Sequence, residues 1–180
     1  ENIEGVGPMK IRKSNDEVIY CEDQIVLVDY EDIQGLKGSA RHNERKRVRI
    51  CAHREESDRL HEMIIVHTKD TYVRPHRHFG KSESFLIIDG LAKIIIFSDN
   101  GNIQNVIEMG DYLSKRIFYY RICEPLYHTL LIESDVIVFH ESTNGPFNRG
   151  DNDFAPWSPD EKDAMSCSDY LSKLHEQIGV

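Results

Sequence analysis

Short apolar runs separated by turn residues fill the middle of the chain. Asp89-Gly90 and Asp99-Asn100-Gly101 are two of the turn sequences, in which asparagine and glycine tolerate positive φ. Many short strands joined by tight turns are typical of an antiparallel sandwich or barrel. The 60–68 run is also compatible with a buried helical turn, because short apolar runs do not separate the two. We predict strands at residues 48–51, 60–68, 84–89, 92–98, 103–108, 116–122, 128–132 and 136–141.

The pattern differs on both sides of this region. Residues 18–20 and 25–28 predict short strands, and residues 31–43 predict a helix. Near the end, Ser158-Pro159-Asp160-Glu161 has the form of a capping box, so a second helix, broken or continuous, is predicted from Pro159 towards Gln177. The apolar residues of this helix fall on one stripe, which predicts that it packs on the rest of the protein.

These changes of pattern predict three parts. Residues 1–40 form an N-terminal accessory segment, residues 41–145 a barrel, and residues 146–180 a C-terminal loop and helix packed on the barrel. The predicted fold class is therefore mainly β, with an N-terminal α/β extension and a C-terminal helix.

Composition narrows the class of protein. The 180 residues suggest one domain, and 39% hydrophobic with 29% charged residues is ordinary for a soluble globular protein. The net charge of −9 argues against a nucleic-acid partner. No apolar run is long enough to span a membrane, and the first ten residues lack the apolar core of a signal peptide. Four widely spaced cysteines without a C-x-x-C pair favour a reducing compartment, so we expect a cytoplasmic protein without a membrane partner.

The strongest chemical signal is a histidine pair followed by a glutamate. His76 and His78 are two apart, so on a strand they point to the same face, roughly 6 to 7 Å apart. Glu83 follows a short loop containing Gly80 and can return to the same point from the next strand. His128 opens a later strand and is the candidate fourth ligand. The pattern predicts one divalent metal site made by His76, His78, Glu83 and His128.

Three imidazoles and a carboxylate suit a borderline divalent ion, such as Fe, Mn, Ni or Zn. Around an octahedral ion, four protein ligands leave two positions for water or substrate. Around a tetrahedral zinc ion the same four ligands complete the coordination, which is typical of a structural site.

Other residues are candidates for contacting a small-molecule ligand. Arg47 and Arg49 share one strand face and suit an anionic group, although a solvated basic turn explains them equally well. Tyr127, beside His128, is a candidate catalytic proton donor or a cover for the site. A packing role for Trp157 competes with a role as a stacking platform at the pocket mouth. The predicted substrate-binding residues are Arg47, Arg49, His53, Arg74 and Trp157.

The spacing His76-x-His78-x4-Glu83-x6-Gly90 resembles the first motif of the cupin superfamily. Asp70 stands where that motif usually has a glycine, and the second cupin motif, around Pro125 and His128, is only partly present. The resemblance implies a cupin-type double-stranded β-helix, also called a jelly-roll barrel. It also implies a homodimer joined through sheet edges, for which the segment before residue 41 is a candidate.

A narrower resemblance is to the WbuC family of cupin-fold metalloproteins. It is carried by Thr71-Tyr72-Val73-Arg74-Pro75-His76-Arg77-His78, by Tyr127-His128-Thr129 and by Phe154-Ala155-Pro156-Trp157-Ser158-Pro159. It covers about residues 30 to 162. It implies a bound divalent metal and an association with bacterial surface-polysaccharide synthesis, often beside O-antigen genes, without implying a particular reaction.

Three functions are consistent with these residues. The first is a metal-dependent isomerase or epimerase acting on a sugar or nucleotide-sugar, with the metal as Lewis acid and an anionic ligand group on the arginines. The second is an Fe(II)-dependent oxygenase, which would consume oxygen where an isomerase would not. The third is a non-catalytic sugar-binding or regulatory module with a structural metal.

Overall fold

Two β-sheets face each other and enclose the interior of the protein. The computed structural model describes residues 9–179, so the first eight residues of the predicted accessory segment lie outside the described part. In chain order, the strands and helices are β1 (Ile11–Lys13), β2 (Val18–Cys21), α1 (Tyr30–His42), β3 (Arg47–Cys51), β4 (Leu60–Thr68), β5 (His76–His78), β6 (Glu83–Asp89), β7 (Leu91–Phe97), β8 (Ile103–Gly110), β9 (Tyr119–Ile122), β10 (Tyr127–Ile132), β11 (Val136–Asn144), β12 (Asn152–Phe154) and α2 (Ala164–Ile178). One sheet has seven strands in the order β1-β2-β3-β4-β11-β6-β9. The other sheet has five strands in the order β12-β5-β10-β7-β8.

The core lies between the inner faces of the two sheets. Because successive side chains of a strand point to opposite faces, every second residue of the central strands faces this interior. Phe85 and Phe139 from the seven-stranded sheet meet Ile94 and Leu130 from the five-stranded sheet in one buried cluster. The apolar cluster fills one end of the interior, and polar side chains line the other end.

Each helix covers the outer face of one sheet. Leu36 and Ala40 of α1 pack on Val48 and Val66 of the seven-stranded sheet. Leu174 of α2 packs on the outer face of the five-stranded sheet, with Ile95 and Leu131 among its neighbours. The result is four layers, helix on sheet on sheet on helix, which leaves both sheets apolar on both faces in their central strands.

This architecture confirms the predicted fold class. The protein is mainly β, with two facing sheets that form a barrel of the jelly-roll type, an N-terminal α/β extension and a C-terminal helix. The extension joins the barrel directly, because β2 adds to β3 as a parallel neighbour. Neither helix in the described part has the length and apolar character needed to cross a bilayer.

Two local predictions were wrong. Residues 25–28 have no regular secondary structure and lead into α1, whose capping box is formed by Asp29 and Asp32. The second helix begins at Ala164 rather than at Pro159, because Asp163 caps it by accepting the backbone N–H of Ser166. The Ser158 hydroxyl, predicted to cap that helix, is buried and donates to the Ala155 carbonyl oxygen at 2.8 Å instead.

Gly90 and Gly35 offer a matched test of the turn between β6 and β7. Gly90 has φ of +98°, and a Cβ there would lie 2.6 Å from the Val136 carbonyl oxygen. Gly35 lies inside α1, with nothing within 4 Å of such an atom. We predict that Gly90→Ala lowers the free energy of unfolding by more than about 1 kcal/mol, and that Gly35→Ala raises it by about 0.5–1 kcal/mol. Denaturant titration measures both, and equal effects of the two substitutions would contradict the assigned turn.

Candidate metal centre

Four side chains from both sheets converge at the polar end of the interior. His76 and His78 lie on β5, and His128 lies on β10 directly opposite His76 in the antiparallel register. Glu83 begins β6 in the other sheet. One ligand atom from each of the four lies within 4.8 Å of the others. The two sheets must therefore hold their separation for the group to exist.

Each of the three histidines is held through its Nδ1 atom. His76 Nδ1 donates to the Arg74 carbonyl oxygen at 2.8 Å, and His128 Nδ1 donates to the Leu126 carbonyl oxygen at 2.9 Å. His78 Nδ1 donates to Asn152 Oδ1 at 2.7 Å. These hydrogen bonds fix the tautomer that leaves the Nε2 lone pair free, which is how metal-binding imidazoles are oriented in proteins.

Glu83 faces the free nitrogen atoms of the histidines. Its carboxylate oxygens lie 2.9 Å from His78 Nε2 and 3.2 Å from His128 Nε2, and the Tyr120 hydroxyl donates to it at 3.3 Å. When these imidazoles are neutral, with the proton on Nδ1, each of these nitrogen–oxygen contacts brings two lone pairs together. Either a proton on Nε2 or a divalent cation between the two atoms relieves that repulsion, so the donor set fits a metal ion.

The electrostatics of the group agree with that fit. Burial lowers the pKa of His76 to about 3, so His76 is neutral at physiological pH. Burial acts to raise the pKa of Glu83, but the hydrogen bonds and charges of His128 and His78 hold it well below its usual value. For His128 the burial effect is outweighed by Glu83, which raises its pKa. A proton and a metal ion therefore compete for the same lone pair of His128.

The candidate metal centre opens into a cavity of about 450 Å³. All four candidate ligands line it, together with residues of β3, β4 and β11 on the inner face of the seven-stranded sheet. Small-molecule sites in proteins have volumes of about 300–1,000 Å³. The group thus faces a space that accepts a small ligand.

Four of the predicted substrate-binding residues line this cavity: Arg47, Arg49, His53 and Arg74. Arg47 pairs with Glu17 at 3.2 Å and with Glu161 at 3.3 Å, while Arg74 pairs with Asp160 at 2.8 Å.

His53 stacks on a second imidazole of the cavity wall. Its ring lies 4.0 Å from that of His61, centroid to centroid, and the two planes are nearly parallel. Burial, followed by the charge of His61, lowers the pKa of His53. His61 Nε2 is buried without a hydrogen-bond partner among the described residues.

Tyr127 and Trp157 lie on the other side of the five-stranded sheet and do not line the cavity in the described structure. The Tyr127 hydroxyl donates to Asp153 at 2.8 Å, and the Trp157 indole donates to the Asp99 carbonyl oxygen at 3.1 Å. Both rings belong to the apolar cluster beneath α2. Because His128 faces the interior, its neighbour Tyr127 faces outward. The alternation of side chains along a strand predicts this orientation from the sequence. The placement gives no support to a proton-transfer role for Tyr127.

Sequence reasoning missed three residues of the site. Asn152 lies on β12, which pairs with β5 and brings the Asn152 amide to His78. Tyr120 reaches Glu83 from β9. Glu141 lies two positions after the inward-facing Phe139, so alternation along β11 places its side chain inward. A carboxylate at an inward-facing strand position is unusual, and that feature of the sequence could have identified Glu141 as a site residue.

A family model matches part of the chain. A family model described as a domain of unknown function, DUF6016, matches residues 28–109. That range includes His76, His78 and Glu83 and ends before His128. No curated protein matches the chain.

Several solved structures resemble parts of the chain. Protein SO0799 from Shewanella oneidensis aligns with a TM-score of 0.48 and 11% identity, over 59% of this chain and 72% of its own. The capsular polysaccharide assembling protein CapF from Staphylococcus aureus gives 0.44 and 21%, over 54% of this chain and 27% of its own. Oxalate decarboxylase from Bacillus subtilis, described with Mn(II) centres, gives 0.43 and 12%, over 54% and 24%. This chain thus spans about a quarter of the length of the last two proteins.

Metal content tests the candidate ligands directly. We expect near-stoichiometric Fe, Mn, Ni or Zn in the purified protein by inductively coupled plasma mass spectrometry. His76→Ala and His128→Ala should each lose that metal, because each removes one of four ligands. His53→Ala is the matched control, since His53 lines the cavity outside the candidate metal centre. Metal lost from the His76 variant alone would remove His128 from the ligand set, and folded wild type that takes up no metal would contradict the site.

Asn152 tests the orientation of His78. Asn152→Ala should weaken metal binding about 10- to 100-fold, because partners that orient a ligand have effects of that size. Asn152→Asp restores an acceptor for His78 Nδ1 and should bind metal at least as tightly as wild type. Competition with a fluorescent chelator measures both affinities, with the exposed Asn105→Ala as control. An unchanged affinity in Asn152→Ala would show that this hydrogen bond does not orient the ligand.

Proposed function

We propose that this protein is a metal-dependent cupin enzyme that acts on a sugar or nucleotide-sugar as an isomerase or epimerase. The observation that carries the proposal is the position of the candidate metal centre. His76, His78, Glu83 and His128 lie at one end of a cavity of about 450 Å³ rather than in a closed cluster. A structural metal needs no such space, whereas a reacting ligand does.

The ion held by these residues would be a divalent transition metal such as Fe, Mn, Ni or Zn. When bound, it supplies a Lewis acid for a carbonyl or hydroxyl oxygen of the ligand. The chain itself holds the geometry. Tyr120 donates to Glu83, and burial followed by the charge of Glu83 raises the pKa of Tyr120 well above its usual value, so the hydroxyl keeps its proton. Glu83 thereby stays ionised and fixed in direction.

The sugar assignment is supported by the polar wall of the cavity and by the resemblance of the sequence to the WbuC family. Arginine, histidine and glutamate side chains on one wall suit a ligand with hydroxyl and anionic groups. The same resemblance supports a role in bacterial surface-polysaccharide synthesis. The four cysteines are free thiols, which supports a reducing compartment such as the cytoplasm.

Deuterium exchange tests the reaction class. Protein loaded in turn with Mn, Fe, Ni and Zn is incubated in D₂O with a panel of nucleotide-sugars and acidic sugars. An isomerase or epimerase that moves a proton should place solvent deuterium on a sugar carbon, detected by proton NMR, and His76→Ala should not. Oxygen consumption by the Fe(II) form, measured with an electrode, would favour the oxygenase alternative. Intact metal-loaded protein that binds no member of the panel would overturn the proposal and favour a structural metal.

We also infer a homodimer formed through the β9 edge of the seven-stranded sheet. An edge strand carries unpaired backbone groups that a second copy can satisfy, and β9 is one end of the sheet. Tyr119 of β9 is an exposed apolar residue, as are Tyr112, Leu113, Ile117 and Phe118 in the segment that leads into β9. Dimerisation through the N-terminal segment stays a prediction, since β1 of that segment is the opposite edge.

Light scattering after size exclusion measures the oligomeric state. Wild type should have the mass of a dimer, and Leu113→Glu combined with Tyr119→Lys should convert it to a monomer by placing charges in the contact. Ile25→Glu, at an exposed apolar residue outside this group, should leave the dimer intact. Monomeric wild type at micromolar concentration would rule the dimer out.

A further inference from the structure

The cavity contains one arginine whose charge no carboxylate balances. Arg45 and Arg47 share the carboxylates of Glu17 and Glu161, and Arg74 pairs with Asp160. Arg49 lies on the same inner face of β3 as Arg47 and lines the same cavity. Within residues 9–179, no carboxylate forms an ion pair with the Arg49 guanidinium, whose side-chain hydrogen bond goes to the neutral Cys51 thiol. A guanidinium left unpaired in a cavity is available for an anionic ligand.

Glu141 is the second unpartnered group of the cavity. It lies on the inner face of β11 and lines the cavity, and its carboxyl group has no hydrogen bond or ion pair with any residue in the described range. A carboxyl group in such a place is costly to bury unless something supplies its partner. Burial, followed by the negative charge of Glu83, raises the pKa of Glu141 to about 8, while Arg49 acts in the opposite direction. Because no described residue satisfies the Glu141 carboxyl group, it is available to a polar group of a ligand.

The strand register puts these groups in a row. Glu141 of β11 is opposite Phe85 of β6, two positions from Glu83, and opposite Met63 of β4 on its other side. Arg49 of β3 is opposite Ile65, two positions along β4 from Met63. With strands about 4.8 Å apart, the backbone distance from β6 to β3 across the sheet is roughly 14 Å. Long side chains shorten that span to a length that one sugar with an acidic substituent covers.

We propose that Arg49 and Glu141 form a binding subsite for the acidic end of a hydroxylated ligand. Arg49 pairs with a carboxylate or phosphate, and Glu141 exchanges a hydrogen bond with a neighbouring hydroxyl group. The inference rests on the proposed function, because the far end of the same ligand would reach His76, His78, Glu83 and His128. It names the ligand class as acidic sugars, either uronic acids or sugar phosphates.

The pairing pattern selects Arg49 over Arg47. The Arg47 guanidinium already contacts two carboxylates, and a ligand anion would have to displace at least one of them. Arg49 loses no ion pair with a described residue when it binds an anion. Its planar fork can also give two parallel hydrogen bonds to a carboxylate or phosphate.

Calorimetric titration of metal-loaded protein tests the subsite with four probes: D-glucuronate, D-glucose 6-phosphate, D-glucose and inorganic phosphate. We expect the two acidic sugars to bind more tightly than glucose or phosphate alone. Tighter binding of glucuronate than of glucose 6-phosphate indicates a carboxylate site, and the reverse order of affinities indicates a phosphate site. Arg49→Gln should weaken both acidic sugars about tenfold or more, because a charge-assisted hydrogen bond contributes that much. The control Arg45→Gln removes an equal charge from the cavity rim and should change affinity by less than about twofold.

Two variants examine Glu141. Glu141→Leu removes the hydrogen bond and should weaken the acidic sugars while leaving inorganic phosphate unchanged, whereas Glu141→Gln keeps a hydrogen-bonding group and should bind close to wild type. Acidic sugars that bind wild type no better than glucose would overturn the subsite, as would equal losses in Arg49→Gln and Arg45→Gln. Metal content is measured in every sample. If wild-type protein retains its metal but binds no acidic sugar or phosphate, the subsite is wrong and the metal-dependent function still stands. If wild-type protein binds phosphate but takes up no metal, the metal-dependent function is wrong and the subsite still stands.

Discussion

A buried carboxylate that faces two imidazoles is the constraint on which this site depends. Glu83 comes from the seven-stranded sheet, while His76, His78 and His128 come from the five-stranded sheet. A buried charge of this kind is tolerated only when it is paired and hydrogen-bonded. The aromatic and aliphatic cluster between the sheets sets their separation, and the helices on the two outer faces keep both sheets covered. The geometry of the candidate metal centre therefore depends on the packing of the core.

The part of the candidate site that could be predicted from the sequence is the part formed by residues close together in the chain. His76, His78 and Glu83 lie within eight consecutive residues, so strand alternation and one short loop bring them together. His128 required only that a later strand pair with the first. Arg49 and Arg47 were correctly placed on one face, but their different pairing depends on Glu161, more than a hundred positions away. No local pattern carries that distinction.

The errors share a physical origin. Ser158-Pro159-Asp160-Glu161 satisfies the local rule for a helix start, yet the Ser158 hydroxyl is taken by Ala155 and by Arg74 in a buried turn. Asp163 then caps the helix a few residues later. Tyr127 was linked to the site by its sequence neighbour His128, although adjacent strand residues face opposite sides. In both cases a tertiary contact or the strand period outweighed proximity in the sequence.

The position of β12 near the end of the chain means that the candidate metal centre is completed late in synthesis. Glu83 precedes His128 by 45 positions and Asn152 by 69 positions, and β12 reaches β5 only after nearly the whole barrel exists. While residues 129–152 are still being synthesised, the chain carries all four candidate ligands but lacks Asn152, the residue that orients His78. A metal ion held by these residues would therefore reach its final geometry only after β12 has joined the barrel.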